Sequence, residues 1–191
     1  RPGKPAVYRQ RGLVAAAAIR ASQQGELDCL CGAYCMVNML SWLYDGRVKR
    51  RPLMNRLIQA YQQRWPLHEW LTEGIEEERL DWLIAQVLQK GHYSRQFPVQ
   101  ITRPFAGKRG VTDGRLFREM QRFLDVTDHS RLIMLSDQFH WSLLVKMDEE
   151  TLCFFDSNGR TTMPRKAFSL RTGVTRRQLF PDAIYFIERE F

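Results

Sequence analysis

Three residues of this sequence have the types that thiol-dependent hydrolysis requires, namely Cys31, His140 and Asp156. Sulfur attacks a carbonyl carbon as the thiolate, so a cysteine nucleophile needs a base that takes its proton. Histidine is the usual base, and a third group holds the imidazole in the correct tautomer. The order cysteine, histidine, aspartate therefore predicts nucleophilic catalysis at a carbonyl group by these three residues.

Cys31 is predicted to begin a helix, because apolar residues recur at intervals of three and four from Ala33 to Leu43. The unpaired N–H groups and the positive dipole end at a helix N-terminus favour a thiolate. Gly32 directly follows the cysteine and is expected to leave backbone room for a substrate. These features make Cys31 the preferred nucleophile.

The other cysteines leave alternatives open. Cys29 lies just before the predicted helix and is the alternative nucleophile, whereas Cys35 is one turn inside it and is expected to be packed. Three close cysteines could also bind zinc, but no second Cys/His cluster accompanies them, so neither a metal nor a cofactor is expected. With Cys153 standing alone, the spacing does not indicate a disulfide framework and favours free thiols in a reducing compartment.

His140 and Asp156 are expected at the two ends of a β-hairpin that turns around Asp148. If the loop has an odd number of residues, His140 faces Asp156 directly, and the Cβ atoms of such pairs lie roughly 4.5 to 5.5 Å apart. An even-numbered loop shifts the register by one residue. A histidine that opens a strand and an aspartate that opens a turn can also be purely structural.

The elements that must position these residues follow from the hydrophobic pattern. Helical periodicity dominates the range 31–127, strand-like segments dominate 131–190, and no βαβ alternation occurs. We therefore predict an α+β fold in which a helical lobe packs on an antiparallel sheet lobe, with the active site in the crevice between them. Residues 1–22 are predicted to be an extension, and residues 23–191 the domain.

More specific predictions concern the individual segments. Loops are expected over 65–74 and 94–114, except for a short strand at 99–102, and Thr112 or Asp113 is expected to cap the helix that follows. The predicted strands span 131–135, 140–147, 152–156 and 183–188.

Composition indicates a globular protein. The 191 residues are 44% hydrophobic, and no apolar run reaches the length of a membrane span. The alanine-rich stretch 13–18 is too short for an ordinary signal-peptide core. The net charge of +8 favours acidic protein or peptide partners. The basic clusters lack interleaved aromatics, so nucleic-acid binding is not expected.

Two stretches resemble known proteases. Residues 24–40, QGELDCLCGAYCMVNML, resemble the glutamine-then-CGxxC segment of bacteriocin-processing papain-like peptidases. Residues 139–160, FHWSLLVKMDEETLCFFDSNGR, are similar to the block that supplies their histidine and aspartate, and also to that of YopT-like bacterial effector proteases. The resemblance implies a papain-like fold, with Cys31 as nucleophile, His140 as base, Asp156 as orienting acid and Gln24 as oxyanion donor.

The sequence therefore favours a papain-like cysteine protease. Such a protein is expected to be a bacterial toxin or effector that is either cytoplasmic or secreted and delivered. The same triad also serves glutamine deamidation or acyl transfer. A peptide-binding module without catalysis is one rival. An NlpC-type peptidoglycan amidase is another, and it would use Cys29, preceded by Asp28, as nucleophile.

Overall fold

The computed structural model describes residues 19–22, 29–157, 159, 161–173 and 177–190, which form a mixed α+β fold. The helices are α1 (Cys31–Leu43), α2 (Arg50–Gln62), α3 (Leu67–Glu73), α4 (Glu77–Leu83), α5 (Gly91–Gln96) and α6 (Asp113–Phe123), and a π-helical turn, Ile84–Leu88, extends α4. The main strands are β1 (Val99–Thr102), β2 (Arg131–Ser136), β3 (Trp141–Met147), β4 (Thr151–Phe154) and β5 (Thr162–Pro164). They are followed by β6 (Phe168–Ser169), β7 (Arg177–Gln178) and β8 (Ile184–Arg189).

Six of the strands form one antiparallel sheet in the order β1-β8-β2-β3-β4-β5, while β6 and β7 form a small parallel pair. β1 lies within the part of the chain expected to be helical, and it joins the sheet by pairing with β8. The predicted short strand at 99–102 is confirmed. β2 and β3 occupy the middle of the sheet, and at the end next to His140 they pair with each other through Ser136 and Trp141.

The sheet is buried on both faces, and successive strand residues point to opposite faces. In β2, Leu132 and Met134 belong to the core cluster shared with α1, whereas Ile133 and Leu135 belong to the cluster shared with α6. Twelve of the thirteen residues of α1 are buried, so this helix is enclosed rather than amphipathic. Cys31 is thus carried by the most deeply buried helix of the described structure.

α6 lies on the opposite face of the sheet from α1, because its buried residues, Leu116, Phe117 and Met120, pack in the second cluster. The Thr112 side chain accepts a hydrogen bond from the backbone N–H of Arg115, which confirms Thr112 as the predicted cap. The helices therefore do not form the single expected lobe but are divided between the two faces. Among the described residues no helix is both long and apolar enough to cross a membrane.

The loop predicted over 65–74 is wrong, because α3 occupies most of it. Trp70 of α3 is fully buried and its ring lies 4.6 Å from that of Tyr61, centroid to centroid. A helix of seven residues has little stability alone, so this packing, which periodicity over a short window does not reveal, accounts for the helix. α5 was likewise not predicted, since it contains no buried residue that would mark a helical face.

Candidate active site

Cys31 is the first residue of α1, and its side chain lies at the edge of the core with 9% of its surface exposed. The preceding residue, Leu30, begins the helix by accepting the backbone N–H of Tyr34 at 3.0 Å. Among the described residues, no side chain caps this end of the helix. The sulfur therefore lies at a helix N-terminus, where backbone N–H groups lack partners within the helix and favour negative charge.

His140 directly precedes β3, and the turn between β2 and β3 fixes its backbone. The Oδ1 atom of Asp137 accepts the N–H groups of Phe139 and His140 at 2.8 and 3.0 Å, and the Asp137 N–H donates to the His140 carbonyl at 3.2 Å. The Asp137 side chain is fully buried and pairs with Arg177 at 3.7 Å. This role was not predicted from the sequence, although an aspartate shortly after a predicted strand is a turn-forming signal, because its side chain accepts the N–H groups that follow it.

The side chains of His140 and Asp156 are in direct contact, with 2.7 Å between Nε2 and Oδ1. His140 is 6% exposed and Asp156 is fully buried. Asp156 lies two residues beyond β4, where the N–H of Phe155 still donates to the Leu143 carbonyl at 2.9 Å. The structure therefore brings together the predicted histidine and aspartate.

The predicted hairpin register is nevertheless wrong. Met147 pairs with Leu152, so the loop between them has an even number of residues, and a bulge between Leu144 and Lys146 shifts the ladder so that Leu144 pairs with Phe154. Because a bulge adds one residue to one strand, it bends that strand and re-aims its side chains. His140 and Asp156 consequently meet beyond the end of the ladder rather than as a facing strand pair.

His140 also makes a hydrogen-bonding contact with Cys31. Burial disfavours the imidazolium, but the hydrogen bonds and charges of Asp156 and Cys31 outweigh it and raise the pKa of His140 from 6.5 to about 9. Since Nε2 faces Asp156, Nδ1 is the ring nitrogen that remains to exchange a proton with the sulfur. An imidazolium at neutral pH beside Cys31 stabilises negative charge on that sulfur.

The loop between α3 and α4 covers the first turn of α1. A Cβ atom built on Gly32 would lie only 2.5 Å from Cγ2 of Ile75, so a side chain at position 32 would collide with the loop. The indole N–H of Trp141 donates to the Ile75 carbonyl at 2.8 Å and fixes the loop from the other side. The room expected over Gly32 is therefore filled by Ile75 and not left for a substrate.

The remaining cysteines lack this environment. The Cys29 sulfur donates to the Thr72 carbonyl at 3.6 Å, and its N–H donates to the Leu71 carbonyl at 2.9 Å, so it is attached to the end of α3. Cys35 is 1% exposed inside α1, as expected. Burial raises the pKa of the Cys153 thiol on β4. All four cysteines are free thiols, and His140 contacts Cys31 among them.

A cleft of about 630 Å³ contains the candidate site. It is lined by residues of the chain before α1, the α3–α4 loop and the β2–β3 turn, among them Cys29, Cys31, Ile75, Phe139, His140 and Trp141. A larger cavity, of about 950 Å³, lies between α6 and β5, but its described lining contains neither cysteine nor histidine. The smaller cleft is thus the one that offers thiol chemistry.

Gln24, the candidate oxyanion donor, and its neighbour Gln23 lie outside the described residues, as does most of the predicted N-terminal extension. The described end of that extension is attached to α1. The Ser22 N–H donates to Oδ1 of Asn38 at 2.8 Å, and the Asn38 amide donates to the Ser22 carbonyl at 3.2 Å. The chain that leads to Gln24 is therefore anchored in the middle of α1.

A second histidine–carboxylate pair was not expected from the sequence. Nδ1 of His129 lies 2.9 Å from Oδ1 of Asp45, and the His129 ring stacks on Trp42 with 3.9 Å between centroids. Burial lowers the pKa of His129, with the charge of Asp45 opposing it. Trp42 is eleven residues along α1 from Cys31, about 16 Å at the helical rise, so this pair belongs to a different part of the molecule.

No group of three or more histidine, cysteine or acidic residues suited to a metal ion occurs in the part of the chain that the structure describes. A comparison of the sequence with protein-family models found no match. A search of curated proteins likewise gave no significant match.

Proposed function

We propose that this protein is a papain-like cysteine hydrolase that cleaves an amide bond, most directly a peptide bond of a protein. The observation that carries the proposal is the position of His140, which contacts Asp156 on one side and Cys31 on the other. A nucleophile, a base and a group that orients the base are the three parts that thiol hydrolysis requires. The resemblance of both sequence stretches to papain-like peptidases supports the same conclusion.

In the acylation step, the Cys31 thiolate attacks the carbonyl carbon and forms a C–S bond, and the carbonyl oxygen becomes an oxyanion. Collapse of this intermediate breaks the C–N bond, and the His140 imidazolium donates its proton to the departing amine. Asp156, hydrogen-bonded to Nε2, holds the ring so that Nδ1 faces the reacting atoms. The products are a free amine and a thioester between Cys31 and the acyl group.

In the deacylation step, a water molecule attacks the thioester carbonyl while His140, now neutral, accepts a proton from it. The C–S bond breaks, the acyl group leaves as a carboxylic acid, and the thiolate–imidazolium pair is restored. The backbone N–H of Cys31 lies at a helix N-terminus and is suited to stabilise the oxyanion in both steps. By resemblance, the amide of Gln24 would supply the second donor.

Related reactions share this machinery. If ammonia is the leaving group, the same steps deamidate a glutamine side chain, and if an amine replaces water they transfer the acyl group. Peptide hydrolysis is the simplest of these reactions and matches the families that both stretches resemble. The similarity to YopT-like effector proteases extends the proposal to a bacterial effector or toxin that acts on a host protein.

Alkylation with iodoacetamide at mildly acidic pH, followed by mass spectrometry of the peptides, tests the proposal. A thiolate reacts and a thiol does not, so Cys31 should be labelled selectively. His140→Ala should abolish this selectivity, because the imidazolium that stabilises the thiolate is lost. Cys29→Ser is the matched control and should leave the labelling of Cys31 unchanged.

The other outcomes assign the rival functions. Preferential labelling of Cys29 would contradict the proposal and favour the NlpC-type amidase. Equal, slow labelling of all four cysteines would contradict catalysis and favour a peptide-binding module without catalysis. If Cys31 is labelled selectively, incubation with a peptide mixture should give new termini that are absent with Cys31→Ala, whereas a mass increase of about 1 Da without cleavage would indicate deamidation.

A further inference from the structure

We propose that the cleft beside Cys31 binds a peptide segment that carries a lysine or arginine, with a neighbouring apolar residue placed against Phe139. This inference rests on the proposed function, because the reacting carbonyl must come to Cys31 and the chain on either side of it must then contact the cleft walls. The two walls that such a chain would meet have different chemistry, and each defines one part of the substrate.

The first wall is acidic. Glu73, Glu76 and Glu77 line the cleft, and they lie at the end of α3 and the start of α4, on either side of Ile75. None of the described residues that line the cleft is lysine or arginine. In a chain with 29 basic and 21 acidic residues, this wall therefore has the opposite charge to the molecule as a whole.

The N-terminus of α4 favours the negative charges of Glu76 and Glu77, but none of the three carboxylates has a cationic partner among the described residues. Glu69, one helical turn before Glu73, pairs with Arg79 at 2.7 Å, but no ion pair joins Glu73, Glu76 or Glu77 to a basic residue of the described chain. Glu73 moreover lies in the last turn of α3, where the helix dipole disfavours a negative charge. A cationic side chain in the cleft would supply the missing partner.

The position of these carboxylates is fixed by the contacts of the loop between them. Ile75 packs against Gly32 and its carbonyl accepts the indole N–H of Trp141, so the α3–α4 loop is held against the first turn of α1. Gly74 has a positive φ of 81°, a conformation that favours glycine and turns the chain sharply between the two helices. The acidic wall is therefore anchored directly to the helix that carries Cys31.

The second wall presents Phe139. Its side chain is 69% exposed and is the one large hydrophobic side chain that the described structure leaves exposed. Phe139 directly precedes His140, its N–H is bound by the Asp137 carboxylate, and the Arg177 guanidinium lies 5.2 Å from its ring centroid. An aromatic ring held in place beside the base, yet open to solvent, is suited to an apolar side chain of the substrate.

The charge of the whole chain and that of the cleft thus indicate different partners. The net charge of +8 favours acidic molecules at the outer surface. One wall of the cleft that contains Cys31, however, carries three glutamates, and a group of like charges in a cleft raises the local concentration of ligands of the opposite sign. The substrate segment that enters the cleft is therefore expected to be basic, even if the surrounding surface attracts acidic regions of the same partner.

Protection of Cys31 from alkylation measures binding at the cleft and not at the outer surface. The probes are two peptides of identical length, each of which contains a single leucine. In the first peptide lysines flank the leucine, and in the second peptide glutamates flank it. The lysine peptide should slow the alkylation of Cys31, and the glutamate peptide should not. Raising the salt to roughly 0.5 M should weaken the protection, because exposed charge pairs are screened.

A triple variant, Glu73→Gln with Glu76→Gln and Glu77→Gln, should weaken protection by the lysine peptide about tenfold. Glu78→Gln is the matched control, because Glu78 lies on α4 next to Glu77 but does not line the cleft. Phe139→Ala should weaken binding of the leucine-containing lysine peptide more than that of an alanine-containing counterpart. Equal protection by both probes, or unchanged protection in the triple variant, would overturn the inference.

The readout separates this inference from the proposed function. Protection is expressed relative to the unprotected rate of Cys31, so it is measurable even if Cys31 reacts no faster than the other cysteines. Slow, unselective alkylation with selective protection by the lysine peptide would refute the hydrolase and retain the basic ligand. Selective alkylation of Cys31 with protection by the glutamate peptide would retain the hydrolase and refute the basic substrate.

Discussion

Nε2 of His140 lies 2.7 Å from Oδ1 of Asp156 in the interior of the protein, just beyond the paired parts of β3 and β4. A buried carboxylate is costly unless a hydrogen-bonded cation accompanies it, and the imidazolium of His140 meets that need. The second nitrogen of the ring then serves Cys31. The orientation of the base is therefore set by a contact that also stabilises the folded state.

Asp156→Asn should slow the alkylation of Cys31 at neutral pH by about tenfold to a hundredfold, since hydrogen bonds to charged groups contribute ~1.5–3 kcal/mol. Loss of the carboxylate lowers the pKa of His140 from about 9, so the imidazolium disappears at lower pH. The pH dependence of iodoacetamide labelling measures the effect. Asp45→Asn, which alters the pair with His129, is the control and should leave the profile unchanged. An unaltered profile in Asp156→Asn would contradict the role of this aspartate.

The stability of the protein should depend on pH through His140. Its pKa is about 9 in the folded state and near 6.5 when unfolded, so the folded state binds the proton more tightly. The resulting stabilisation, at most about 3 kcal/mol, is fully present below pH 6.5 and is lost as the pH rises through 9. Urea unfolding gives the free energy of unfolding of the wild type and of His140→Gln. The difference between the two free energies should shrink from about pH 6 to pH 9. His68→Gln controls for loss of an exposed histidine, and a difference that grows with pH would refute the assignment.

Gly32→Ala should destabilise the protein by about 1–3 kcal/mol, because the new Cβ would lie 2.5 Å from Cγ2 of Ile75. Combination with Ile75→Ala removes the colliding atom, so the double variant should lose less free energy of unfolding than the sum of the single losses. Gly114→Ala in α6 is the control, since a Cβ atom added there would meet no neighbouring atom within 4 Å and no loss of stability is expected. Additive losses in the double variant would show that the α3–α4 loop does not press on α1.

Asp137→Ala should both destabilise the protein by about 1–3 kcal/mol and slow the alkylation of Cys31, because the backbone of Phe139 and His140 loses its acceptor. Asp137→Asn retains a side-chain oxygen that can accept these N–H groups and should restore most of the alkylation rate. Thermal unfolding and labelling are measured on the same samples. If the asparagine variant is as impaired as the alanine variant, the charge of Asp137 beside Arg177 matters more than its hydrogen bonds.

Local patterns in the sequence were sufficient for several elements. The helix that begins at Cys31, the cap at Thr112 and the strands on either side of His140 depend on periodicity and on residues near in sequence, and the structure contains them all. The helix α3 escaped prediction because Trp70 is buried by Tyr61, a contact between separate helices. The division of the helices between the two faces of the sheet also escaped, since the pattern within a strand does not show which helix covers each face.

For the candidate site, the sequence by itself determined which chemical groups are present. The types and the order of Cys31, His140 and Asp156 are sufficient to predict a thiol, a base and an orienting acid. Only the tertiary structure decided how they meet. A bulge and an even-numbered turn replaced the expected register, and Ile75 rather than open space lies over Gly32. The physical reason is that residue type is a local property, whereas register, loop packing and the charge of a cleft depend on segments that are distant in sequence and are brought together by burial of the core.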